Sequence, residues 1–249
     1  MTNRTTFSGK YIYENGNAGN YIPANTIIHI NADGSGDFSD LPSAINYCYH
    51  KYSDGTVRIE LDEGTHLVPE GCPVYTSDFN FSRLIIQGKG VDKTILKRAN
   101  YTYRTLEIHQ NGCSVLVQKM TIQNTKDGST YHANSHCILT GGASDVALID
   151  VKCTNFSDCG IIATSGSRIH LGGSISVTEG RTGILAYGGF IDAYAGVTLN
   201  AQNLTTMIGT NVSGVVSLNA TQGTYSGVTN KYNTPVNAIT TNGYICCNL

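Results

Sequence analysis

Residues 183–203 read GILAYGGFIDAYAGVTLNAQN, and apolar and polar side chains alternate along them as in a β-strand with one buried face. Glycines interrupt this alternation at Gly188, Gly189 and Gly196. Because glycine adopts a positive φ without steric cost, these interruptions predict corners between short strands. The stretch therefore indicates an architecture whose chain turns every few residues.

The same short strand recurs along the chain. Aligning the similar segments superimposes four isoleucines at a nearly constant step: Ile138, Ile161, Ile184 and Ile208. Upstream, Ile86 and Ile108 are separated by almost the same step and extend the series. A period in the twenties indicates a solenoid, and the consensus and helices of leucine-rich repeats are absent. We therefore expect a right-handed parallel β-helix with about 22–24 residues per coil.

The segment DLPSAINYCYHKY, residues 40–52, has the spacing of an amphipathic helix. Asp40 is placed to cap its N-terminus, and Pro42 falls in the first turn. An open solenoid exposes its core at the first coil, so this helix, over about residues 40–52, is predicted to close that end. We expect residues 1–26 to form a linker or neck and residues 27–249 to form one β-helix domain.

Composition narrows the possible functions. Only 14% of the 249 residues are charged and the formal net charge is −2, so the chain has no broad basic surface for nucleic acid. No run approaches the roughly 18 apolar residues of a membrane span, so we expect no membrane insertion. The N-terminus lacks the apolar core of a secretory signal, which predicts synthesis in the cytoplasm. The eight cysteines show no metal-binding spacing, and we expect them to be mostly buried thiols.

The entry segment carries a family resemblance. NADGSGDFSDLPSAINYCYHKYSDGTVRIELDEGTHLV, residues 31–68, resembles the start of the pectin lyase-like superfamily, in which a D-G-S-G-D-F stretch precedes a capping helix and a strand. That superfamily includes pectinesterases and the tailspike and tail-fibre proteins of bacteriophages. The resemblance implies the β-helix fold and, for a tailspike, a homotrimer in the virion tail that recognises a bacterial surface polysaccharide.

The known catalytic sequence blocks of the superfamily are absent. The chain has neither the Q-D-T-L nor the D-F-I-F-G block of pectinesterases, and it contains no Trp, which the W-I-D-H block of pectate lyases requires. Of the polygalacturonase blocks, N-T-D is interrupted by Lys126 and G-H-G is missing. The resemblance therefore does not predict any of these three enzyme activities for this chain.

A new site remains possible on the outer surface of the coils. In SRIHLGG, residues 167–173, the alternation turns Arg168 and His170 outward. One coil later His170 stacks on Asp192, and neighbouring rungs lie about 4.8 Å apart. A carboxylate can orient an imidazole as a general base, so His170 and Asp192 are candidate catalytic residues. The alternative is an ordinary exposed cross-strand pair. Glycoside hydrolysis would need two carboxyl groups about 5–9 Å apart, and Glu179 with Asp158 is the other candidate pair for that role.

Aromatic side chains flank this pair. Phe190 and Tyr194 also point outward, and Phe190 stacks beside Arg168 in a parallel column that begins at Asp145. Arg168, Phe190 and Tyr194 are therefore candidate glycan-binding residues, because such side chains combine apolar area with hydrogen-bonding groups.

An insertion breaks the repeat. The step from Ile108 to Ile138 is longer than the others, and the excess falls in NTKDGSTYHANSH, residues 124–136. Such an insertion projects as a loop, which makes Tyr131, His132 and Asn134 candidate ligand-binding residues. His132 and His136 have the four-residue spacing of a zinc pair on a helix, but the segment is not helical. We expect no metal and no cofactor.

The sequence thus favours a tailspike-like protein that binds a cell-surface glycan through the outward side chains and the loop. Two alternatives stay open. One is a polysaccharide hydrolase or lyase of the same fold, and the other is a structural tail or adhesin spacer.

Overall fold

The protein folds as a parallel β-helix. The structure, a computed structural model, describes residues 3–7, 10–14, 21–100, 103–109, 112–126, 131–218, 223–233 and 243–247. Strands pair in parallel from one coil to the next and form three faces, whereas an N-terminal hairpin of β1 (Asn3–Phe7) and β2 (Lys10–Glu14) pairs antiparallel and separately. The parallel pairing confirms the predicted fold.

The first face begins at Thr26. It consists of β3 (Thr26–Ile30), β4 (Thr56–Leu61), β7 (Arg83–Gln87), the first parts of β10 (Ser114–Gln123), β12 (Asp145–Thr154) and β14 (Arg168–Tyr187), then β15 (Phe190–Ala193), β17 (Gly214–Leu218) and β20 (Gly243–Cys247).

The second face uses the continuation of the long strands. It consists of β5 (Gly64–Leu67), β8 (Thr94–Lys97), the later parts of β10 and β12, the middle of β14, the first part of β16 (Thr198–Asn211) and β18 (Tyr225–Ser226).

The third face holds the candidate site described below. It consists of β6 (Cys72–Tyr75), β9 (Leu106–His109), β11 (Ile138–Gly141), β13 (Cys159–Thr164), the ends of β14 and β16, and β19 (Asn230–Tyr232).

The predicted stacking of isoleucines is confirmed in the later coils and wrong in the earlier ones. Ile138, Ile161, Ile184 and Ile208 occupy one inward column of the third face. Ile86 instead stacks on Val117 of the first face, whereas Ile108 pairs with Thr140 of the third. The early coils are longer because loops between their strands differ in length, so a constant step misaligns them.

The capping helix is shorter than predicted. Helix α1 spans Leu41–Cys48, and Asp40 accepts a hydrogen bond from the Ser43 amide at 2.7 Å, as an N-cap does. The helix ends because Tyr49 is extended and His50 adopts a left-handed φ of 58°. Tyr52, at the end of the predicted helix, is 51% exposed and forms isolated β-bridges with Tyr21 and Asn80.

The helix closes the core as expected. Its buried side chains, Leu41, Ala44, Ile45 and Cys48, pack against β3 and β6 at the first coil. Inward side chains of all three faces continue this core along the coils. No helix among the described residues has the length and apolar character needed to span a membrane.

The cysteines are thiols wherever their side chains are described. None of these seven cysteines forms a disulfide, and six of them are buried: Cys48, Cys72, Cys113, Cys137, Cys153 and Cys159. This confirms the prediction for those residues. The side chain of Cys247 lies outside the described part of the chain.

Candidate functional site

A groove of about 610 Å³ crosses the strands of the third face from β9 to β16. Its floor is an outward column of apolar side chains, Leu139, Ile162 and Leu185, which stack in register. Leu139 and Ile162 are only 5% and 6% exposed although they point away from the main core, and they form a separate apolar cluster with Cys159. The flanking side chains therefore enclose a recessed apolar strip.

Charged groups lie at the β9 end of the groove. The Glu107 carboxylate contacts His109 Nε2 at 2.6 Å and Arg104 Nη1 at 3.6 Å. Gly141 stacks beside His109 in the next coil, and a Cβ there would lie 2.9 Å from two imidazole atoms. Glycine thus leaves the space that the imidazole occupies over the groove.

Residues 131–136 supply one wall. The backbone amide of Asn134 donates to Asp158 Oδ2 at 3.2 Å, and Arg181 Nη1 lies 3.7 Å from Asp158 Oδ1. The Arg181 guanidinium also covers the Tyr131 ring at 4.7 Å, a cation–π contact. Burial raises the pKa of Tyr131, and the neighbouring Asp158 carboxylate adds to this effect. Tyr131 of the loop, Asp158 of the next coil and Arg181 of the coil after it therefore form one polar wall.

His136 is the most deeply buried polar member of this wall. Its side chain is 4% exposed, and burial lowers its pKa to about 4, although the Asp158 carboxylate opposes that shift. The imidazole is therefore neutral at neutral pH. Its Nδ1 atom is buried without a hydrogen-bond partner among the described residues and lies 3.9 Å from Asp158 Oδ2.

The far end of the groove combines one aromatic ring with amides. Tyr187 is 44% exposed, and Asn211 lies beside it in the next coil. Asn233 extends the ladder beyond Thr210, because its side chain donates to the Thr210 carbonyl at 3.0 Å and accepts from the Thr210 amide at 2.9 Å. This end offers an apolar surface and hydrogen-bonding groups together.

The candidate catalytic pair lies on the first face. His170 Nδ1 contacts Asp192 Oδ1 at 2.5 Å, in the predicted register. His170 Nε2 also lies 3.2 Å from Asp145 Oδ1. The imidazole therefore contacts carboxylates from both neighbouring rungs.

The aromatic neighbours of the pair complete an outer strip, defined as Asp145, Arg168, His170, Phe190, Asp192 and Tyr194. The Arg168 guanidinium lies 4.7 Å from the Phe190 ring centre, and Tyr194 stacks on His170 with ring centres 5.7 Å apart. Tyr194 is 49% exposed. Every contact named in the strip joins adjacent rungs, as in a cross-strand ladder.

The structure does not unite all the predicted site residues. The strip lies on the first face, whereas Tyr131 and Asn134 line or border the groove of the third face, and His132 donates its backbone amide to Ser157 Oγ at 3.0 Å. Glu179 contacts Asn203 Nδ2 at 2.5 Å, and Asp158 faces Arg181. The strip and the loop are therefore two separate surfaces.

Sequence reasoning missed Arg104, His109 and Arg181, which line the groove, and Glu107, which contacts His109. The signal was present in the alternation of β9, where Leu106 and Ile108 point inward and Glu107 and His109 outward. The wrong register of Ile108 hid it, because it did not place β9 beside Leu139.

Among comparisons with known proteins, only that with solved structures finds similar chains. No protein-family model matches the chain, and no curated protein does. Among solved structures, a pectin methylesterase from carrot is 14% identical with a TM-score of 0.39, over 90% of this chain and 88% of that one. A pectin methylesterase in complex with a hexasaccharide is 11% identical with a TM-score of 0.44, over 90% of this chain and 93% of that one.

A further similar structure is a mutant pectin methylesterase, also in complex with a hexasaccharide. It is 12% identical with a TM-score of 0.46 and covers 80% of this chain and 79% of that one. At these identities the likeness concerns the fold alone.

Proposed function

We propose that the protein binds a polysaccharide chain along the groove of the third face. The observation that carries this proposal is the recessed apolar floor of Leu139, Ile162 and Leu185, bordered by charged groups, amides and Tyr187. Sugar rings present an apolar face and a rim of hydroxyls, which such a mixed surface complements. Four rung steps of about 4.8 Å make the path from β9 to β16 roughly 19 Å long, enough for several sugars.

Two exposed tyrosines offer a matched test. Tyr187 lies in the groove and Tyr194 in the outer strip, and they are 44% and 49% exposed. Retention on immobilised capsular polysaccharide, lipopolysaccharide and methylesterified pectin is measured for each Tyr→Ala variant. We expect Tyr187→Ala to weaken binding by about 1–3 kcal/mol, as loss of an interface anchor does, and Tyr194→Ala to leave it unchanged.

The reverse result would assign binding to the outer strip. Retention that neither variant alters would contradict the groove proposal, and the absence of any retention or turnover would favour the spacer.

The second candidate is a polysaccharide-degrading enzyme that uses the same groove. It is favoured by His109, which lines the groove and lies 2.6 Å from the Glu107 carboxylate, and by Asp158 further along the groove. If the groove is catalytic, Glu107→Gln should abolish the release of products while glycan retention survives, because the amide keeps the shape and loses the charge. Asp192→Asn is the matched control, and loss of turnover only in that variant would place catalysis at His170 and Asp192.

The assembly and location of the protein are a further part of this proposal. On the resemblance of residues 31–68 to tailspikes, we propose a homotrimer in a bacteriophage tail, where several weak sites act together. Light scattering should then give three times the chain mass of 26.6 kDa, and antibodies should label particle tails. A monomer in solution would contradict the trimer.

A further inference from the structure

Three side chains of different chemistry meet at the loop side of the groove. A ring nitrogen of His136, a carboxylate oxygen of Asp158 and Cys159 Sγ all lie within 4.8 Å of one another. His136 ends the 124–136 segment, whereas Asp158 and Cys159 belong to the next coil. Backbone hydrogen bonds join the two segments, from Asp158 N to the Ser135 carbonyl and from Cys137 N to the Cys159 carbonyl, each at 3.2 Å. Coil stacking therefore fixes the cluster.

His136 provides a second, independent sign of a bound group. Its side chain is 4% exposed, yet Nδ1 has no hydrogen-bond partner in the described part of the chain and is directed toward Asp158 at 3.9 Å. A buried nitrogen left without a partner costs free energy. A neutral imidazole with a free ring nitrogen is also the form that binds metal ions.

We propose that His136, Asp158 and Cys159 bind a zinc ion. Nitrogen, oxygen and thiolate donors together suit zinc, whereas calcium and magnesium prefer oxygen alone. In a zinc tetrahedron the donor atoms stand about 3.3–3.8 Å apart, given the usual bond lengths. Asp158 Oδ1 lies 3.6 Å from Cys159 Sγ, and Asp158 Oδ2 lies 3.9 Å from His136 Nδ1. The two distances involve different oxygens of the Asp158 carboxylate, so coordination through one of them requires rotation of that carboxylate and a closer approach of the His136 and Cys159 side chains.

The surroundings define how such an ion would bind. Cys159 would bind as the thiolate, so its proton would be released to water when the ion binds. Arg181, 3.7 Å from Asp158, would compete for the same carboxylate. Three protein ligands leave a fourth position, and His136 and Asp158 both line the groove. That position is therefore accessible from the groove to water or to a donor group of a glycan.

Cobalt is a suitable probe because its bond to thiolate absorbs in the near ultraviolet. The full chain, stripped with a chelator, is titrated with Co²⁺, and Zn²⁺ is then added in competition. We expect one Co²⁺ per chain, a sulfur-to-cobalt absorption band and its loss when zinc displaces cobalt.

Variants identify the ligands. Cys159→Ser should abolish the band, and Asp158→Asn should weaken cobalt binding by about 100-fold or more, beyond the 10–100-fold cost of losing an outer partner. Arg181→Gln should strengthen binding, because it removes the competing cation. The control is Cys113→Ser, which removes a buried thiol of another coil and should leave the band intact.

The result that overturns the proposal is a chain without stoichiometric cobalt binding, or a band that survives Cys159→Ser. If Cys159→Ser fails to fold, Asp158→Asn decides, since that side chain is 16% exposed and lies outside the core. Cobalt affinity unchanged by Asp158→Asn would then refute the site. Glycan retention is measured separately, so failure of the zinc site leaves the groove proposal standing.

Discussion

Arg98 holds the backbone at the β9 end of the groove. It is 1% exposed, and its guanidinium donates to the Arg104 carbonyl at 2.7 Å and to the Asn100 carbonyl at 3.1 Å. These bonds satisfy the buried charge and fix the backbone that leads into β9. Gly71 makes this possible, because its φ is +83° and a Cβ would overlap Arg98 Nη1 and lie 2.5 Å from the Arg104 carbonyl oxygen.

Gly71→Ala should destabilise the protein more than the same change at an equally left-handed glycine. The matched control is Gly196→Ala, because Gly196 has a φ of +80° and, its own residue and its two chain neighbours aside, no atom of the described residues lies within 4 Å of its Cβ position. We expect the control to lose about 1–2 kcal/mol from backbone strain and Gly71→Ala to lose about 1–3 kcal/mol more from overlap. Urea unfolding measures both, and equal losses would show that Arg98 moves aside freely.

For single residues, the sequence predicted contacts between adjacent coils better than it predicted the complete set of residues in a site. His170 and Asp192 meet as expected, because two residues one coil apart stack whenever the coil length is known. Asp145 joins them from the preceding rung, although the alternation predicts it in the neighbouring column. Side chains of this length reach diagonally between columns, which periodicity alone does not describe.

Helix α1 is the element on which the first coil depends. Its buried residue Ile45 is 1% exposed, whereas Asn46 on the same helix is exposed. Ile45→Asp should cost several kcal/mol of unfolding free energy, because it places an unpaired carboxylate against the core. Asn46→Asp serves as the control for adding a charge to the helix. A melting temperature of Ile45→Asp within a degree or two of the control would contradict the role of the helix as a cap.

The N-cap residue of helix α1, Asp40, also predicts a pH dependence of stability. Burial raises the pKa of Asp40, but hydrogen bonds from Ser43 and Ser39 to the carboxylate outweigh it, so the pKa lies below its ordinary value of 3.8. The unfolded chain therefore takes up this proton first, and the stabilisation present above pH 3.8 is lost as the pH falls through the lower folded value.

Asp40→Asn isolates this contribution, because Asn caps a helix nearly as well without a charge. The variant should be less stable at pH 6, by less than about 1 kcal/mol, and the difference should shrink as the pH falls below about 4. Urea unfolding across this range measures it. A difference that stays constant with pH would show that the Asp40 charge does not contribute.

Across the whole molecule, predictability followed the regularity of the coils. From Ile138 onward the coils have nearly equal lengths, so one alignment predicted the isoleucine column of the third face and the stacking of His170 on Asp192 in the first face. Before that point Ile59, Ile86 and Val117 stack at longer and unequal steps, and only tertiary pairing reveals them. The groove begins in this irregular part, at β9, which is why a constant period does not locate its charged end.

Long-range order also explains how His136 meets Asp158 and Cys159. His136 and Asp158 lie one coil apart, so residues distant in sequence become neighbours on one face. The four-residue spacing of His132 and His136 relates residues that are close in sequence. A solenoid instead brings metal-ligand side chains together when they lie one coil apart.

The buried thiols provide a test of the whole molecule. Burial raises the pKa of Cys48 and of Cys113 to about 12, so these thiols are protonated and shielded at neutral pH. We expect a reducing agent to leave the melting temperature unchanged, since a structural disulfide would add about 2–4 kcal/mol. A thiol reagent should modify the buried cysteines only as fast as the coils unfold, whereas Cys246, which is partly exposed, should react in the native state. A large drop in melting temperature under reduction would mean that cross-links, and not coil stacking around a continuous core, hold the solenoid together.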